Sequence, residues 1–259
     1  GVKAGAVVDL NECEQAVRQA VALAERMAKV RVESVLLSVS AGRLQGSMVE
    51  ASSELRGGGV TPADMSRVIS AGMHHATPPG RTVLHVLPAT YSLDGVKGVR
   101  DPSGMVARHF GIDMNVMTAD ATAAKNLMLV VERCHLNVEA MAAGPYVSGL
   151  SVLTDDEADL GAAVVEMGAG TTTIATYSAG QCVHASGFAV GGQHVTMDLA
   201  RGLGACIADA ERIKTLYGTV LTGGSDAREV MSVPTVSGHD GDAPQIVSRA
   251  TIANIVKQR

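Results

Sequence analysis

A short glycine turn between two extended apolar segments constrains the fold of this chain more than any other feature of its sequence. Residues 162–167 are apolar except for Glu166, Gly168 and Gly170 follow with one residue between them, and residues 171–177 are rich in β-branched side chains. Runs of this length and composition favour strands, and glycine lets the backbone turn and approach another group closely. The stretch therefore predicts a β-hairpin.

The same turn has the chemistry of a phosphate site. Successive amides in such a turn form a concave site for anions, and threonine hydroxyls add donors. The residues that would supply these groups are Gly168, Ala169, Gly170, Thr171 and Thr172. Glu166, at the end of the first strand, can hold a hydrated Mg²⁺ ion beside bound phosphates. A Walker A loop would instead carry Gly-Lys-Ser/Thr and lead into a helix, and an ordinary glycine hairpin explains these residues equally well.

Two downstream features favour the ligand-binding interpretation. Gly191 and Gly192 lie at a predicted strand-to-helix junction, where a helix N-terminus can accept negative or polar ligand groups. Glu211 and Lys214 lie three residues apart in the next predicted helix, so both side chains lie on one side of it and can take ribose hydroxyls and a ring nitrogen. The alternative is a solvated surface ion pair, worth less than about 1 kcal/mol.

Capping residues and helical periodicity predict the helices. Asn11 and Glu14 have the spacing of a capping box, and Thr61 precedes a proline at a first helical position. Asp120 and Ser248 are placed to cap two further helices. The other helices are expected at 145–153, 194–203 and 209–217, the last with Gly218 as a left-handed terminator.

Apolar and alternating runs predict the strands. Besides the glycine hairpin, these runs cover residues 35–39, 81–87, 90–93, 105–118, 138–141, 181–190 and 231–236. Residues 42–59 are expected to form turns and a weak hairpin, and Asp94 with Gly95 a further hairpin turn. The mixture predicts an α/β or α+β protein with more than one subdomain.

Composition excludes several classes of protein. Hydrophobic residues make up 46% of the 259 residues and charged residues only 18%, which excludes a disordered chain. Aromatic residues amount to 2% and the net charge is −5 without a run of Lys or Arg, so we expect no nucleic-acid partner. Four cysteines without metal-site spacing fit a cytoplasmic protein, and the start at Gly1 suggests a piece of a longer one.

An ordered set of short motifs resembles the FtsA family of bacterial cell-division proteins. The motifs are TVLHVLP at 82–88 with YSLD at 91–94, DPSGM at 101–105, AKN at 124–126, VERC at 131–134, SVLTDDE at 151–157, the glycine hairpin, and AERIK at 210–214. Each motif is weak alone, but together they cover nearly the whole chain in order.

The resemblance implies a partial actin-like (ribonuclease H-like) ATPase-type α/β fold of the actin/Hsp70 superfamily, with an inserted α+β subdomain 1C of the SHS2 type. It places residues 1–32 and 119–160 in subdomain 1A, 33–118 in subdomain 1C, 161–207 in subdomain 2A and 208–259 in part of subdomain 2B. The family's first phosphate loop, its last adenosine-binding glycines and its C-terminal membrane helix would lie outside this chain.

The resemblance also implies a function. Members of the family are ATP-binding scaffolds that use Mg²⁺, polymerise and tether FtsZ filaments to the inner face of the cytoplasmic membrane at the division site. Subdomain 1C would contact other division proteins, and the membrane would be reached only through the C-terminal helix. Two alternatives stay open: a small-molecule kinase of the same superfamily, against which the 1C-like insertion speaks, and an ATP-binding scaffold of pilus assembly.

The chain departs from the family pattern at two positions. Glu166 stands where the family usually has Asp, and Thr173 replaces an acidic residue. A longer carboxylate shifts any metal-bridging water by about one C–C bond, and a misplacement of that size can cost roughly 10²-fold in rate. We therefore expect nucleotide binding and at most weak ATPase activity.

Overall fold

A computed structural model describes residues 1–40, 43–55, 57–221, 223, 228–234 and 245–259. In chain order the elements are β1 (Val2–Lys3), β2 (Ala6–Val7), α1 (Leu10–Ala28), β3 (Ser34–Val39), β4 (Gln45–Glu54), α2 (Pro62–Ala76), β5 (Arg81–Leu93), β6 (Val96–Val99), β7 (His109–Asp120), α3 (Ala121–Arg133), β8 (Asn137–Ala143), α4 (Gly144–Val152), α5 (Asp155–Leu160), β9 (Ala162–Met167), β10 (Thr172–Ser178), β11 (Gln181–Phe188), α6 (Gly192–Leu203), α7 (Ile207–Tyr217), β12 (Val230–Val233), β13 (Gln245–Ser248) and α8 (Arg249–Val256). The chain divides into two compact units, residues 1–167 with 171–189 and residues 168–170 with 190–259.

A seven-stranded antiparallel sheet dominates the first unit. Its strands lie in the order β6-β5-β7-β4-β11-β10-β9. Alternation along β7 buries Ile112, Met114 and Val116 together with Val68 of α2, and Phe110 joins the same core. Aliphatic side chains and methionine therefore supply most of this core, in a chain that contains only two Phe and no Trp.

A second, two-stranded sheet in the first unit is parallel. β3 pairs with β8 from Ser34 opposite Asn137 to Val39 opposite Ala143. Because α4 begins at Gly144, directly after β8, the end of this sheet places the first turn of α4 beside Ser40, the residue that follows β3. This arrangement brings Ser40 and Gly144 next to each other.

In the second unit, the described residues form three helices and a strand pair. Leu199 and Leu203 of α6, Ile213 of α7 and Ile252 of α8 pack into one core with Val233 of β12. β12 and β13 pair in antiparallel fashion from Val230 opposite Ser248 to Val233 opposite Gln245. No helix among the described residues combines the length and the apolar character that a membrane span requires.

Most predicted elements are confirmed, with shifted ends. The glycine hairpin is formed by β9 and β10, and Asp94 and Gly95 turn β5 into β6 with φ angles of 48° and 86°. Thr61 and Asp64 form a capping box at α2, and the side chains of Asp120 and Ser248 cap α3 and α8 as expected. The two runs predicted at 81–87 and 90–93 form one strand, β5, whose register shifts beside Pro88.

The prediction for residues 42–59 was wrong. Gln45–Glu54 forms the ten-residue strand β4, which pairs with β7 along its whole length. The partner strand supplies the backbone hydrogen bonds that hold this polar segment extended, and the local sequence does not reveal that partner. Position 46 of this strand has no room for a side chain, because a Cβ on Gly46 would lie only 2.9 Å from both Ala185 N and Asn115 Oδ1. Residues 41, 42 and 56 lie outside the described part of the chain.

Two predicted helix ends were also wrong. The cap of α1 is Asp9, whose side chain accepts from the amides of Asn11 and Glu12, so the helix begins before the expected capping box. Gly218 has a φ of −65° and ends α7 without a left-handed residue, whereas Gly204 after α6 has a φ of 58°. The helix α5 was not predicted, and of the strand expected at 231–236, residues 235 and 236 lie outside the description.

Candidate functional site

The glycine turn joins two paired strands in the first unit. Met167 faces Thr172 and Glu166 faces Thr173 across β9 and β10. Alternation along β9 exposes Val165 and Met167 and turns Glu166 to the other face, where it is half-buried. Thr171 and Thr172, expected to donate hydroxyl groups to a phosphate, are each only 8% exposed.

Glu166 is held by two hydroxyl groups. Its Oε1 accepts a hydrogen bond from Ser40 Oγ at 3.1 Å, and its Oε2 accepts one from Thr173 Oγ1 at 3.2 Å. Gly144 at the start of α4 leaves room for these groups, because a Cβ there would lie 2.8 Å from Glu166 Oε2 and would overlap Ser40 Oγ. An oxygen donor set with a carboxylate fits a hydrated Mg²⁺ ion, which keeps most of its waters.

In the second unit, the first amides of α6 donate hydrogen bonds to carbonyl groups of the glycine turn. The amide of Gly192 donates to Gly168 O at 2.9 Å, and that of Gln193 donates to Ala169 O at 2.8 Å. The two first amides of α6 are thereby occupied by the turn. Gly191 leaves no room for a side chain, because a Cβ there would overlap Gly168 O and lie 2.7 Å from Ala169 O.

The amide groups of the turn remain available as hydrogen-bond donors. Within the described ranges, the amides of Gly168, Ala169 and Gly170 donate to no protein group. Three consecutive free amides in a turn with fixed carbonyls are suited to an anion, because little ordering remains to be done when the ligand binds. The turn can thus offer N–H donors while its position is set by α6.

Glu211 and Lys214 form an ion pair of 2.7 Å within a larger network. Lys214 Nζ donates to Thr196 Oγ1 at 2.9 Å and lies 3.3 Å from Gly192 O, and Thr196 Oγ1 donates to Glu211 Oε2 at 2.5 Å. The hydrogen bonds from Lys214 and Thr196 hold the pKa of Glu211 below its usual range. The pair therefore links α7 to the first turn of α6 instead of standing alone at the surface.

The structure brings some of the predicted residues together. Gly191, Gly192, Glu211 and Lys214 adjoin one another in the second unit, and the turn at 168–170 lies against Gly191 and Gly192. Sequence reasoning missed Ser40, Gly144 and Thr196. Thr196 had one available signal, its position four residues after Gly192 on the same side of α6, whereas Ser40 and Gly144 are far from Glu166 in sequence and had none.

His85 of β5 contacts the α4 end of the same region. Its Nε2 accepts the amide hydrogen of Ala143 at 2.9 Å, and its ring lies 4.8 Å from the Tyr146 ring. Burial lowers the pKa of His85 from the ordinary value of 6.5. Protonation would also turn Nε2 from an acceptor into a donor facing another donor.

We expect His85 to make the stability of the protein depend on pH below 6.5. Because the folded-state pKa is depressed, the unfolded chain binds the proton more readily, and the free energy of unfolding falls as the pH drops from 6.5 through the folded pKa. Above 6.5 the contribution is constant. Urea unfolding between pH 7.5 and 5 gives the free energy of unfolding of the parent and of His85→Gln as a function of pH. The contribution of His85 is the difference between these two curves, and parallel curves would show that His85 contributes no pH dependence.

Comparison with known proteins places this chain in a family. A family model described as "Cell division protein FtsA" matches residues 163–257, and another described as "SHS2 domain inserted in FTSA" matches residues 41–118. The chain is 47% identical to the cell division protein FtsA of Rhizobium meliloti (strain 1021) and 32% identical to that of Escherichia coli (strain K12). Each comparison covers 100% of this chain, and 59% and 61% of the respective relative.

Solved structures support the fold. The PilM-PilN type IV pilus biogenesis complex aligns with a TM-score of 0.60 at 16% identity, covering 84% of this chain and 59% of the other. MreB5 of Spiroplasma citri aligns with a TM-score of 0.50 at 13% identity, covering 99% and 56%. These likenesses confirm the predicted actin-like fold, and together with the matches above they show that the chain belongs to the FtsA family of cell-division proteins.

Proposed function

We propose that the full-length protein binds ATP with Mg²⁺ and acts as an actin-like scaffold that polymerises and links FtsZ filaments to the cytoplasmic membrane at the division site. Family membership supports this proposal, although the chain spans only 59% of the Rhizobium meliloti relative. MreB5, which shares the fold, has been solved bound to ADP.

One observation supports the nucleotide part of the proposal. The carbonyl groups of the glycine turn accept hydrogen bonds from α6, whereas its amides have no partner among the described residues. Gly168, Ala169 and Gly170 would bind phosphate oxygens through these amides, with the hydroxyls of Thr171 and Thr172 as further donors. Bound Mg²⁺, oriented by Glu166 through water, would offset the phosphate charge.

The Glu211 network supports a nucleoside contact. Both of its hydrogen bonds reach Oε2, which leaves Oε1 of a half-exposed carboxylate to accept from a ribose hydroxyl. The side chain of Lys214 is 25% exposed. There is space beside its Nζ, because a Cβ added to the adjacent Gly192 would still lie 3.5 Å from that atom. We propose that Gly191, Gly192, Glu211 and Lys214 flank the nucleoside.

The subdomain boundaries belong to the same proposal. We assign residues 1–32 and 119–160 to subdomain 1A, 33–118 to 1C, 161–207 to 2A and 208–259 to 2B, with 1C contacting other division proteins. The pairing of β3 with β8 joins residues on both sides of the assigned boundary at 118.

Substituting Gly170 tests the phosphate site. We expect Gly170→Val to weaken binding of labelled ATP to the full-length protein by about 10-fold or more. The added side chain would block the close approach of a phosphate to the turn amides, and each lost hydrogen bond to a charged group costs roughly 1.5–3 kcal/mol. The matched control is Ala163→Val, which adds bulk to an exposed position of β9. Equal affinities for parent, control and Gly170→Val would remove the turn from the site.

The scaffold role needs a separate experiment. We expect the full-length protein to co-sediment with FtsZ filaments, and to bring them to phospholipid vesicles when ATP is present. Failure to bind FtsZ while ATP still binds would contradict the tether and leave the nucleotide site intact. Phosphorylated product from candidate sugars would favour the kinase alternative.

A further inference from the structure

Glu166 and Thr173 contact each other across the hairpin. Thr173 Oγ1 lies 3.2 Å from Glu166 Oε2, and these residues face each other in the β9–β10 register. The side chain of Thr173 is fully buried. A buried hydroxyl donor therefore lies directly against the carboxylate of Glu166.

Ser40 supplies the second donor from another sheet. It follows β3, whose last residue, Val39, is fully buried, and its Oγ donates to Glu166 Oε1 at 3.1 Å. Each carboxylate oxygen thus has one hydroxyl donor, one from the residue after β3 and one from β10. Gly144 makes room for both groups, because a Cβ there would overlap Ser40 Oγ and lie 2.8 Å from Glu166 Oε2.

We propose that Ser40 and Thr173 are positioning residues that set the carboxylate of Glu166 for a divalent cation accompanying the bound nucleotide. The inference rests on the proposed nucleotide site. A free glutamate side chain has several rotamers, and holding one of them requires partners that the backbone does not supply. Hydrogen bonds to a ligating carboxylate orient it without replacing it, since each oxygen keeps a lone pair for a metal-bound water.

A purely structural role makes a different prediction. If the two hydroxyls only joined β3 and β10 to β9, removing them would lower stability and ATP affinity alike, whether or not Mg²⁺ was present. If they position Glu166, removing them changes the Mg²⁺ dependence of binding. Comparing the ATP affinity of each variant with and without Mg²⁺ therefore separates the two roles.

The experiment measures labelled ATP binding to the full-length protein across a Mg²⁺ titration and again in EDTA. We expect Ser40→Ala and Thr173→Val each to raise the Mg²⁺ concentration needed for half-maximal binding by about 10-fold, because groups that orient a metal ligand typically contribute 10- to 100-fold to metal affinity. Affinity in EDTA stays at the parent value. Thr173→Ser keeps the hydroxyl and is expected to behave as the parent.

Substitution of Glu166 provides the coupling test. In a Glu166→Gln background, Ser40→Ala and Thr173→Val are expected to have no additional effect on the Mg²⁺ dependence, because residues that act through one group are not additive. Circular dichroism confirms that each variant is folded. Should Thr173→Val unfold, Ser40→Ala carries the test alone, since Ser40 is only partly buried.

Three results would overturn the inference. Equal losses in Mg²⁺ and EDTA would assign the hydroxyls a structural role, and unchanged titrations in a parent that binds Mg²⁺-ATP would show that Glu166 needs no positioning. In both cases the proposed nucleotide site stands. If the parent shows no Mg²⁺-dependent ATP binding, the proposed function itself fails and the inference falls with it.

Discussion

Gly191→Ala is expected to weaken ATP binding by at least about 10-fold and to destabilise the protein by about 1–3 kcal/mol, the usual cost of overpacking. The backbone itself is not the obstacle, because a φ of −163° is open to any residue. The obstacle is the glycine turn, since a Cβ would overlap Gly168 O and lie 2.7 Å from Ala169 O. Neither carbonyl can move without breaking its hydrogen bond to α6.

The neighbouring glycine is the matched control. A Cβ on Gly192 would lie 3.5 Å from Lys214 Nζ and 3.8 Å from Gly168 O, which is ordinary contact. Gly192→Ala should therefore keep stability within a few tenths of a kcal/mol or raise it, because alanine favours a helix by up to about 1 kcal/mol over glycine. Thermal unfolding of both full-length variants measures the difference in stability, and ATP titration of Gly191→Ala against the parent measures the loss of affinity. A Gly191→Ala protein that behaves as Gly192→Ala would show that α6 does not hold the turn.

Thr173→Asp is expected to destabilise the protein by about 3 kcal/mol or more. The position is fully buried, and the new carboxylate would face Glu166, whose Oε2 lies 3.2 Å from the present hydroxyl. The substitution removes a hydrogen-bond donor and adds a like charge. Urea unfolding in EDTA at pH 7 measures the loss without interference from a cation.

The paired substitution separates repulsion from misfit. Glu166→Gln removes the opposing charge at almost unchanged size, so the double variant Glu166→Gln/Thr173→Asp should be more stable than Thr173→Asp alone if repulsion is the cause. Thr173→Ser is the control for side-chain size. If Thr173→Asp unfolds at the same urea concentration as the parent, the side chain at 173 does not face Glu166, and the proposed positioning role of Thr173 is wrong as well.

Local features of the site were predictable because they depend on neighbours in sequence. The apolar and β-branched runs on either side of Gly168 and Gly170 indicate a hairpin, and the spacing of Glu211 and Lys214 indicates a pair on one helix face; both are confirmed. The junction at Gly191 and Gly192 begins α6 as expected. These conclusions need only strand and helix periods.

The polar strand β4 shows where this reasoning fails. Gln45–Glu54 has the composition of turns, and only its ten-residue pairing with β7 makes it a strand. Propensity is a weak guide there because cross-strand partners, absent from a local window, supply most of the stabilisation.

The amino-acid order alone was enough for the hairpin, for most of the helices and, through its ordered motifs, for family membership. Only the folded chain shows that Ser40 and Thr173 hold Glu166 and that Thr196 joins Glu211 to Lys214. The carbonyl contacts of α6 with the glycine turn are equally invisible in the order of residues. The reason is physical: hydrogen bonds between residues far apart in the chain depend on how strands and helices pack, and periodicity does not encode that packing.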